Sequence, residues 1–352
     1  MKDMNRLFVI HTPYQLMCAI NIIKCTEECH NTLLLVQPIL EQYHVLCKQL
    51  SNTKIVFDKK LYIKYGNKGN LLVYFSILKE IILKKQIIGK CDYLSLDIDE
   101  LFVPSDDIIC RLVYHRLRAN RKLHLYLSDD GLGTYTAHIF KGASRLGQIV
   151  YQCLIDNSFE RNISKVYCYE PSLMAKLPAG VSIVKVISNE WTNRLFSDFA
   201  KEKTSVYKNR TVLFFDQGLS GHTEIQKCLE ILRTEFEREE IIVKMHPRIM
   251  GGIYSGFDTA NEGLPFEAIM PLFDLDRTIF VSHSSGACVT AYLMSKYKPF
   301  IILLAKLTNK DSEDTSVIKF LKKMQKTIID NRVYLPNSTK EFQDILFAFR
   351  NK

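Results

Sequence analysis

The chain has 352 residues, of which 47% are hydrophobic and 24% are charged. This composition is typical of a folded globular protein and excludes an intrinsically disordered one, and the length predicts about two domains. Lys and Arg outnumber Asp and Glu by 47 to 38, which gives a formal net charge of +9. No segment interleaves aromatic and basic residues, so we expect no nucleic-acid partner. A phosphate- or carboxylate-bearing partner, or an anionic membrane surface, fits the charge better.

The cysteines and the apolar segments indicate where the protein works. The ten cysteines match no disulfide framework, and the nearest approach to a zinc motif, Cys25, Cys29 and His30, lacks a second ligand pair. No apolar run approaches the roughly 18 residues of a membrane-spanning helix, and the first strand-like segment is too short for a signal peptide. We therefore expect a cytoplasmic protein with reduced thiols, with peripheral contact at the inner face of the cytoplasmic membrane as a further hypothesis.

The first part of the chain alternates short apolar segments with longer amphipathic ones. The predicted strands are residues 7–10, 32–36, 54–57, 93–96, 123–127, 165–169 and 181–186. The predicted helices are residues 15–24, 71–84, 106–117 and 143–159. This alternation predicts a mostly parallel sheet with helices on both faces.

A polar, charged segment at residues 198–210 interrupts the pattern, which then starts again. Strands are predicted at residues 211–215, 241–245, 278–281 and 299–304, and helices at residues 223–236, 287–296 and 341–350. The sequence therefore predicts an α/β protein of two Rossmann-like domains, residues 1–197 and 211–352, joined by a linker of about residues 198–210.

Two adjacent carboxylates, Asp129 and Asp130, follow the strand predicted at residues 123–127 and precede Gly131. Ligands of open α/β sheets bind at the carboxyl ends of the strands, so this turn is expected at the rim of a cleft. Adjacent side chains in an extended segment point to opposite faces, so the two carboxyl groups should differ in burial and in pKa. Either can then serve as a general base, although an ordinary Asp-Gly turn also explains these residues.

Three predicted strands of the second domain also end in polar residues. One ends in Lys244, His246 and Arg248, a second in residues 282–286, and a third in residues 216–220. Hydroxyls and free N–H groups at a helix N-terminus bind anions, so these loops predict a phosphate site. The fingerprints of P-loop and dinucleotide-binding proteins are absent. The Asp-x-Asp at residues 97–99 resembles that of metal-dependent transferases, but we interpret it as solvated acids.

Taken in order, Asp129-Asp130-Gly131, His246-Pro247 and Ser284-Ser285 resemble three short motifs of bacterial sialyltransferases. The likeness is greatest to the glycosyltransferase family 52 type, which decorates lipooligosaccharide or capsule. The segments at residues 11–16 and 264–267 are similar to that family as well. The resemblance implies a GT-B architecture, in which two Rossmann-like domains face each other across a central cleft. It also implies inverting transfer from CMP-sialic acid on the second domain to an acceptor on the first.

The resemblance further implies roles for individual residues. Asp129 would be the general base, with Asp130 as the alternative, and His246 would hydrogen-bond or protonate the departing phosphate. Acceptor binding is expected from Thr12, Gln15 and Gly131. Donor binding is expected from Gln217, Gly218, Lys244, Pro247, Arg248, Glu267, Ser282, Ser284 and Ser285.

Within the donor set, Ser284 and Ser285 would bind phosphate oxygens, and Lys244 and Arg248 would add positive potential. Gly218 would let the backbone approach the phosphate, and Glu267 would accept from the ribose hydroxyls. Since CMP carries a single phosphate that these groups can neutralise, we expect no metal and no cofactor.

The sequence leaves several alternatives open. The leading hypothesis is transfer of sialic acid to a terminal galactose of a lipooligosaccharide or capsule glycan. The alternatives are a GT-B transferase for another nucleotide sugar such as a UDP-hexose, a polysialyltransferase, and a catalytically silent binding subunit of capsule assembly. The linkage, the exact acceptor and a homodimeric state are not determined by the sequence.

Overall fold

The structure is a computed structural model that describes residues 4–26, 29–36, 57–63, 96–118, 122–137, 139, 158–188, 190, 192, 205–217, 222–246, 254–260, 266–270, 273–295, 298–308, 316–327 and 332–351. The chain divides into two compact units, Met1–Thr192 and Asn193–Lys352. None of the described helices is both long enough and apolar enough to span a bilayer.

The first unit contains a parallel sheet of seven strands. They are β1 (Asn5–Ile10), β2 (His30–Val36), β3 (Lys59–Ile63), β4 (Glu100–Val103), β5 (His124–Leu127), β6 (Ile163–Cys168) and β7 (Ser182–Lys185). Their order in the sheet is β3-β2-β1-β4-β5-β6-β7. The order reverses between β1 and β4, so the loops after these two strands diverge and leave a crevice, the usual ligand position in such sheets.

Helices of the first unit follow its strands. They are α1 (Pro13–Lys24), α2 (Ile108–Arg118), α3 (Leu132–Tyr135) and α4 (Phe159–Asn162). Helix α1 begins sharply because Thr12 and Gln15 form a capping box and Pro13 occupies the first helical position. Strands β1, β4 and β5 at the centre of the sheet are mostly apolar and buried, whereas the edge strand β7 is mostly exposed. The rings of Phe8 on β1 and Phe102 on β4 stack with their centres 4.4 Å apart. This packing fixes the two strands that flank the crevice.

Two strands predicted in the first unit lie mostly outside the described residues. Phe57 and Leu96, the described ends of the strands predicted at residues 54–57 and 93–96, lie outside any strand, whereas β3 and β4 begin at Lys59 and Glu100. A short apolar run does not by itself determine which residues form a strand, because pairing with the neighbouring strand sets the strand's bounds. Here Lys59–Ile63 pairs with residues 32–36 of β2. The helix predicted at residues 71–84 and most of the one at 143–159 lie outside the described residues.

The start of β4 at Glu100 also decides which edge of the sheet carries the Asp-x-Asp at residues 97–99. These residues precede β4, so they lie at the amino edge of the sheet, opposite the edge where ligands bind. Asp99 accepts a hydrogen bond through Oδ2 from the backbone N–H of Asn5, 3.0 Å away, at the start of β1. The motif is therefore placed to order strand ends rather than to bind a nucleotide sugar.

The second unit repeats the arrangement with six parallel strands. They are β8 (Val212–Phe215), β9 (Ile241–Lys244), β10 (Asp258–Ala260), β11 (Ile279–Ser282), β12 (Phe300–Leu303) and β13 (Val333–Tyr334), in the order β10-β9-β8-β11-β12-β13. The helices are α5 (Thr223–Glu235), α6 (Phe266–Ile269), α7 (Gly286–Met294), α8 (Ala305–Thr308), α9 (Ser316–Thr327) and α10 (Thr339–Arg350). The order reverses between β8 and β11, which gives this unit its own crevice.

The described end of the predicted linker, residues 205–210, belongs to the second unit. Arg210 forms an ion pair with Asp258, with 2.7 Å between Nη2 and Oδ2. Its guanidinium also donates to the carbonyl oxygens of Glu239 and Ile241. A segment that is polar in sequence is thus fixed against the sheet, because its cation satisfies carbonyl groups at a strand start.

Candidate active site

In the first unit the site is built on the turn that follows β5. The N–H of Ser128 donates to the carbonyl of Val103 at 2.8 Å, which extends the strand pairing one residue beyond β5. Asp129 comes next and is fully buried, and its Oδ1 accepts from the N–H of Gly131 at 2.7 Å and from the hydroxyl of Tyr14 at 3.1 Å. Gly131 has φ +83°, a conformation that favours glycine. The other carboxyl oxygen, Oδ2, is buried without a hydrogen-bond partner among the residues described.

Asp130 is exposed, so the two neighbouring carboxyl groups differ in environment as the strand alternation predicts. Its Oδ1 accepts from Nε2 of Gln15 at 2.5 Å, and its N–H donates to Oγ1 of Thr134 at 2.8 Å. Oε1 of Gln15 accepts in turn from the N–H groups of His11, at 2.6 Å, and Thr12, at 3.1 Å. One buried glutamine therefore joins the loop after β1 to the loop after β5.

Both carboxyl groups have a raised pKa. Burial raises the pKa of Asp129 to about 7, although the N–H of Gly131 and the hydroxyls of Tyr135 and Tyr14 lower it. Protein atoms crowd the carboxyl of Asp130 despite the exposure of the residue, and this desolvation raises its pKa to about 6. Both values lie in the range that suits a general base near neutral pH.

In the second unit the loops after β8 and β11 meet at the point where the strand order reverses. Oε1 of Gln217 accepts from the N–H of Ser284 at 2.6 Å and from the hydroxyl of Ser282 at 3.4 Å. Oγ of Ser282 accepts from the N–H of Ser285 at 2.7 Å. These bonds hold the turn that leads into α7, so they join four residues of the predicted donor set: Gln217, Ser282, Ser284 and Ser285.

Helix α7 begins here with an N-terminus suited to an anion. Ser285 is its N-cap residue and makes no side-chain capping bond to the first turn. Phosphate at such a position accepts from the first-turn N–H groups and benefits from the helix dipole. Nearby, His283 shares hydrogen bonds with the hydroxyls of Ser284, at 2.8 Å, and Thr308, at 2.5 Å. Both ring nitrogens are engaged within the protein, which favours a structural role for this histidine.

Lys244, the last residue of β9, provides the buried positive charge near this edge. Burial lowers its pKa to about 8, although the charge of Glu267 acts in the opposite direction. Glu267 on α6 is itself buried, which raises its pKa, and its Oε1 accepts from the hydroxyl of Thr290 on α7. This position favours a role in setting the charge of Lys244 over the predicted contact with ribose. His246 lies two residues beyond β9 and is half-buried.

Three further predicted residues, Gly218, Pro247 and Arg248, lie outside the described part of the chain.

Sequence reasoning missed residues that the fold brings to the crevice of the first unit. Tyr14 holds the carboxyl of Asp129, and His11, Asp107 and Cys110 gather beside the same loops. The position of these residues in the chain could have pointed to the site. His11 directly follows β1, Asp107 lies in the loop after β4, and Cys110 lies at the start of α2. The sequence motif at residues 25–30 gives no such cluster among the described residues.

The comparison with protein families decides the affiliation of the chain. The family model for alpha-2,8-polysialyltransferase (POLYST) matches residues 6–304, most of the chain. The chain belongs to this family. The prediction of a sialyltransferase is therefore confirmed at the level of the family, and the finer assignment to glycosyltransferase family 52 stays a prediction. No curated protein matches the chain.

Solved structures with low sequence identity share the fold. A protein assigned as a UDP-N-acetylglucosamine 2-epimerase from Listeria monocytogenes is 11% identical with a TM-score of 0.52, covering 100% of this chain and 89% of its own. A second UDP-N-acetylglucosamine 2-epimerase is 11% identical with a TM-score of 0.50, over 98% and 91%. A sialyltransferase from Photobacterium damsela is 11% identical with a TM-score of 0.48, over 96% and 82%. The predicted fold class, α/β of the GT-B type with two Rossmann-like units, is confirmed.

Proposed function

We propose that this polysialyltransferase-family member transfers sialic acid from CMP-sialic acid to a hydroxyl group of a glycan, with inversion at the anomeric carbon. The observation that supports it best is the carboxyl group of Asp129. It is anchored through Oδ1, free of hydrogen bonds at Oδ2 within the described residues, and has a pKa of about 7. This is the chemistry of a general base at neutral pH.

In the proposed reaction, the acceptor oxygen bonds to the anomeric carbon while the bond from that carbon to the phosphate oxygen of CMP breaks. The acceptor proton passes to Oδ2 of Asp129, and CMP leaves as an anion that His246 hydrogen-bonds or protonates. Asp129 is buried in this structure, so acceptor binding must open a path to Oδ2. The hydrogen bond between a general base and its substrate can form only once the substrate is bound. Asp130, which is exposed, is the alternative base.

The second unit would hold the departing phosphate. The first-turn N–H groups of α7, the hydroxyls of Ser284 and Ser285 and the ammonium group of Lys244 are suited to an anion with one phosphate. We propose that these groups neutralise the leaving charge without a metal ion. Transfer should then proceed equally well with and without added Mg²⁺.

The proposal leaves two candidate acceptor glycans to be distinguished by experiment. The resemblance to the glycosyltransferase family 52 type favours a galactose-terminated glycan, whereas membership in the alpha-2,8-polysialyltransferase family favours a glycan that already ends in sialic acid. Lactose and an α-2,8-linked sialic acid oligomer are suitable probes of the two. Elongation of the oligomer without transfer to lactose would assign the chain to polymer synthesis.

The experiment that tests the function is release of CMP from CMP-sialic acid with each acceptor. We expect Asp129→Asn and His246→Ala to lose about 10²- to 10⁴-fold of the rate, the usual contribution of a general acid or base. Asp344→Asn on α10 and His124→Ala are matched controls, since both residues are exposed and neither belongs to a motif; His124 begins β5, whereas Asp129 follows its end. These two variants should keep the parent rate.

Other outcomes assign the roles differently. Full activity in Asp129→Asn together with loss in Asp130→Asn would move the base to the exposed carboxylate. Turnover with a UDP-sugar and none with CMP-sialic acid would overturn the donor. A parent protein that binds CMP but releases none from CMP-sialic acid with any acceptor would identify a silent binding subunit.

A further inference from the structure

A cluster of three metal-binding side chains lies at the crevice of the first unit. Nε2 of His11 is 3.1 Å from Oδ2 of Asp107, and Sγ of Cys110 is 3.5 Å from that nitrogen and 3.2 Å from that oxygen. His11 follows β1, Asp107 lies in the loop after β4, and Cys110 lies in the first turn of α2. The sheet order reverses between β1 and β4. The chemistry is mixed nitrogen, oxygen and sulfur, a donor set that zinc accepts.

The spacing of these three atoms suits a common metal ion. Zinc binds histidine nitrogen, carboxylate oxygen and cysteine sulfur at about 2.0 to 2.3 Å in tetrahedral geometry, which separates neighbouring ligand atoms by about 3.4 to 3.6 Å. The observed separations fall within a few tenths of an ångström of that range. The side chains of His11 and Asp107 are 19% and 35% exposed, whereas Cys110 is buried, so an ion would reach the site from the side of His11 and Asp107.

Neighbouring groups hold the carboxylate in place. The hydroxyl of Ser105 donates to Oδ2 of Asp107 at 2.5 Å. Oδ1 of Asp107 accepts from the N–H groups of Ile109 and Cys110, at 2.8 and 3.2 Å, at the start of α2. Hydrogen bonds of this kind orient metal-ligating carboxylates and raise the affinity of the site.

From this geometry we propose that His11, Asp107 and Cys110 bind one zinc ion. The fourth tetrahedral position is left to water or to an oxygen atom of a bound saccharide. The ion would tie the loop after β1 to the start of α2, beside the hydrogen bond between Gln15 and Asp130. The site is independent of the proposed sialyl transfer, because it requires neither CMP-sialic acid nor an acceptor.

Metal binding by the full-length protein tests the proposal. Protein stripped with a chelator is titrated with zinc chloride against a chromophoric competitor. The parent should bind one zinc per chain, and Cys110→Ser and His11→Gln should each weaken binding at least about tenfold. Cobalt bound to the parent should show a thiolate charge-transfer absorption that Cys110→Ser lacks. The control is Cys25→Ser, which removes an exposed thiol and should bind zinc like the parent.

A further variant separates metal binding from helix capping. Asparagine caps helices as well as aspartate, so Asp107→Asn should keep the start of α2 while losing the charged ligand. We expect this variant to have the circular dichroism of the parent and at least about tenfold weaker zinc binding. Zinc binding that is absent in the parent, or equal in the parent and all three ligand variants, would show a hydrogen-bonded triad only and overturn the proposal.

Discussion

At the scale of single residues, the proposed activity depends on how the carboxyl group of Asp129 is held. Asp129 accepts from the N–H of Gly131 and from Tyr14, which order its side chain but do not compensate for its burial. As a result the pKa is raised to about 7, and the folded protein holds this carboxylate at a cost in stability. Such a cost is typical of functional sites, where stability is lost to place a reactive group.

The cost predicts how Asp129→Asn changes stability with pH. The folded-state pKa lies above the ordinary value of 3.8, so burying the ionised group destabilises the fold increasingly from about pH 4 to pH 7. Asparagine removes the charge and can still accept through its side-chain oxygen. We expect the variant to unfold like the parent near pH 4 and to be more stable above pH 7, by about 4 kcal/mol at most. Urea unfolding at about pH 4 and pH 8 measures this.

The control for that measurement is Asp344→Asn, whose carboxyl group is exposed on α10. Its effect should be small and the same at both pH values. An equal gain for Asp129→Asn at both pH values would contradict the raised pKa.

At the scale of elements, both sheets carry their polar residues where the strand order reverses. In the second unit, Gln217 after β8 holds the backbone of Ser284 before α7, so the position of the helix N-terminus depends on a side chain from a different loop. In the first unit, Gln15 plays a similar part between α1 and Asp130. In each unit a single glutamine amide group joins two loops that are distant in sequence.

Replacement of Gln217 by alanine tests this arrangement. The variant loses two acceptor contacts, to Ser284 and Ser282, and leaves the N–H of Ser284 unsatisfied. Since such a bond is worth about 1 kcal/mol, we expect CMP to bind roughly fivefold more weakly and the melting temperature to fall by no more than about 4 °C. Isothermal titration with CMP measures this. Gln343→Ala on α10 removes an exposed glutamine amide and serves as the control. Unchanged CMP affinity in Gln217→Ala would separate this loop from the donor site.

At the scale of the whole molecule, the excess of positive charge is the main unassigned property. The formal net charge is +9, and no described helix can span a bilayer. A lipid-linked acceptor would bring the protein to an anionic membrane surface, where each basic residue near the lipid contributes about 1 kcal/mol. We therefore propose peripheral contact with such a surface.

Sedimentation with vesicles tests that contact. The protein should pellet with vesicles that contain anionic lipid, stay in solution with purely zwitterionic ones, and be released as salt is raised from about 0.05 to 0.5 M, because salt screens exposed charges. Sedimentation that does not depend on anionic lipid, or binding that resists salt, would argue against an electrostatic contact.

The sequence determined the local features of this protein. The alternation of apolar runs predicted two parallel α/β units, and Gly131 predicted a tight turn after β5. These features depend on residues near one another in the chain, where backbone preference and hydrophobic periodicity act. The sequence also placed the carboxylate pair and the serine pair at strand ends.

The tertiary structure alone decided which distant residues meet. It begins β4 at Glu100, where the strand pairs with β1 and β5, since sheet pairing rather than local apolarity sets strand bounds. It left Cys25, Cys29 and His30 without a common cluster among the described residues, and it assembled His11, Asp107 and Cys110 instead. His11 is nearly a hundred residues from Asp107 and Cys110 in the chain. The three residues meet only because β1 and β4 are neighbours in the sheet. Spacing in sequence carries no record of such contacts, because they arise from the order in which strands pair.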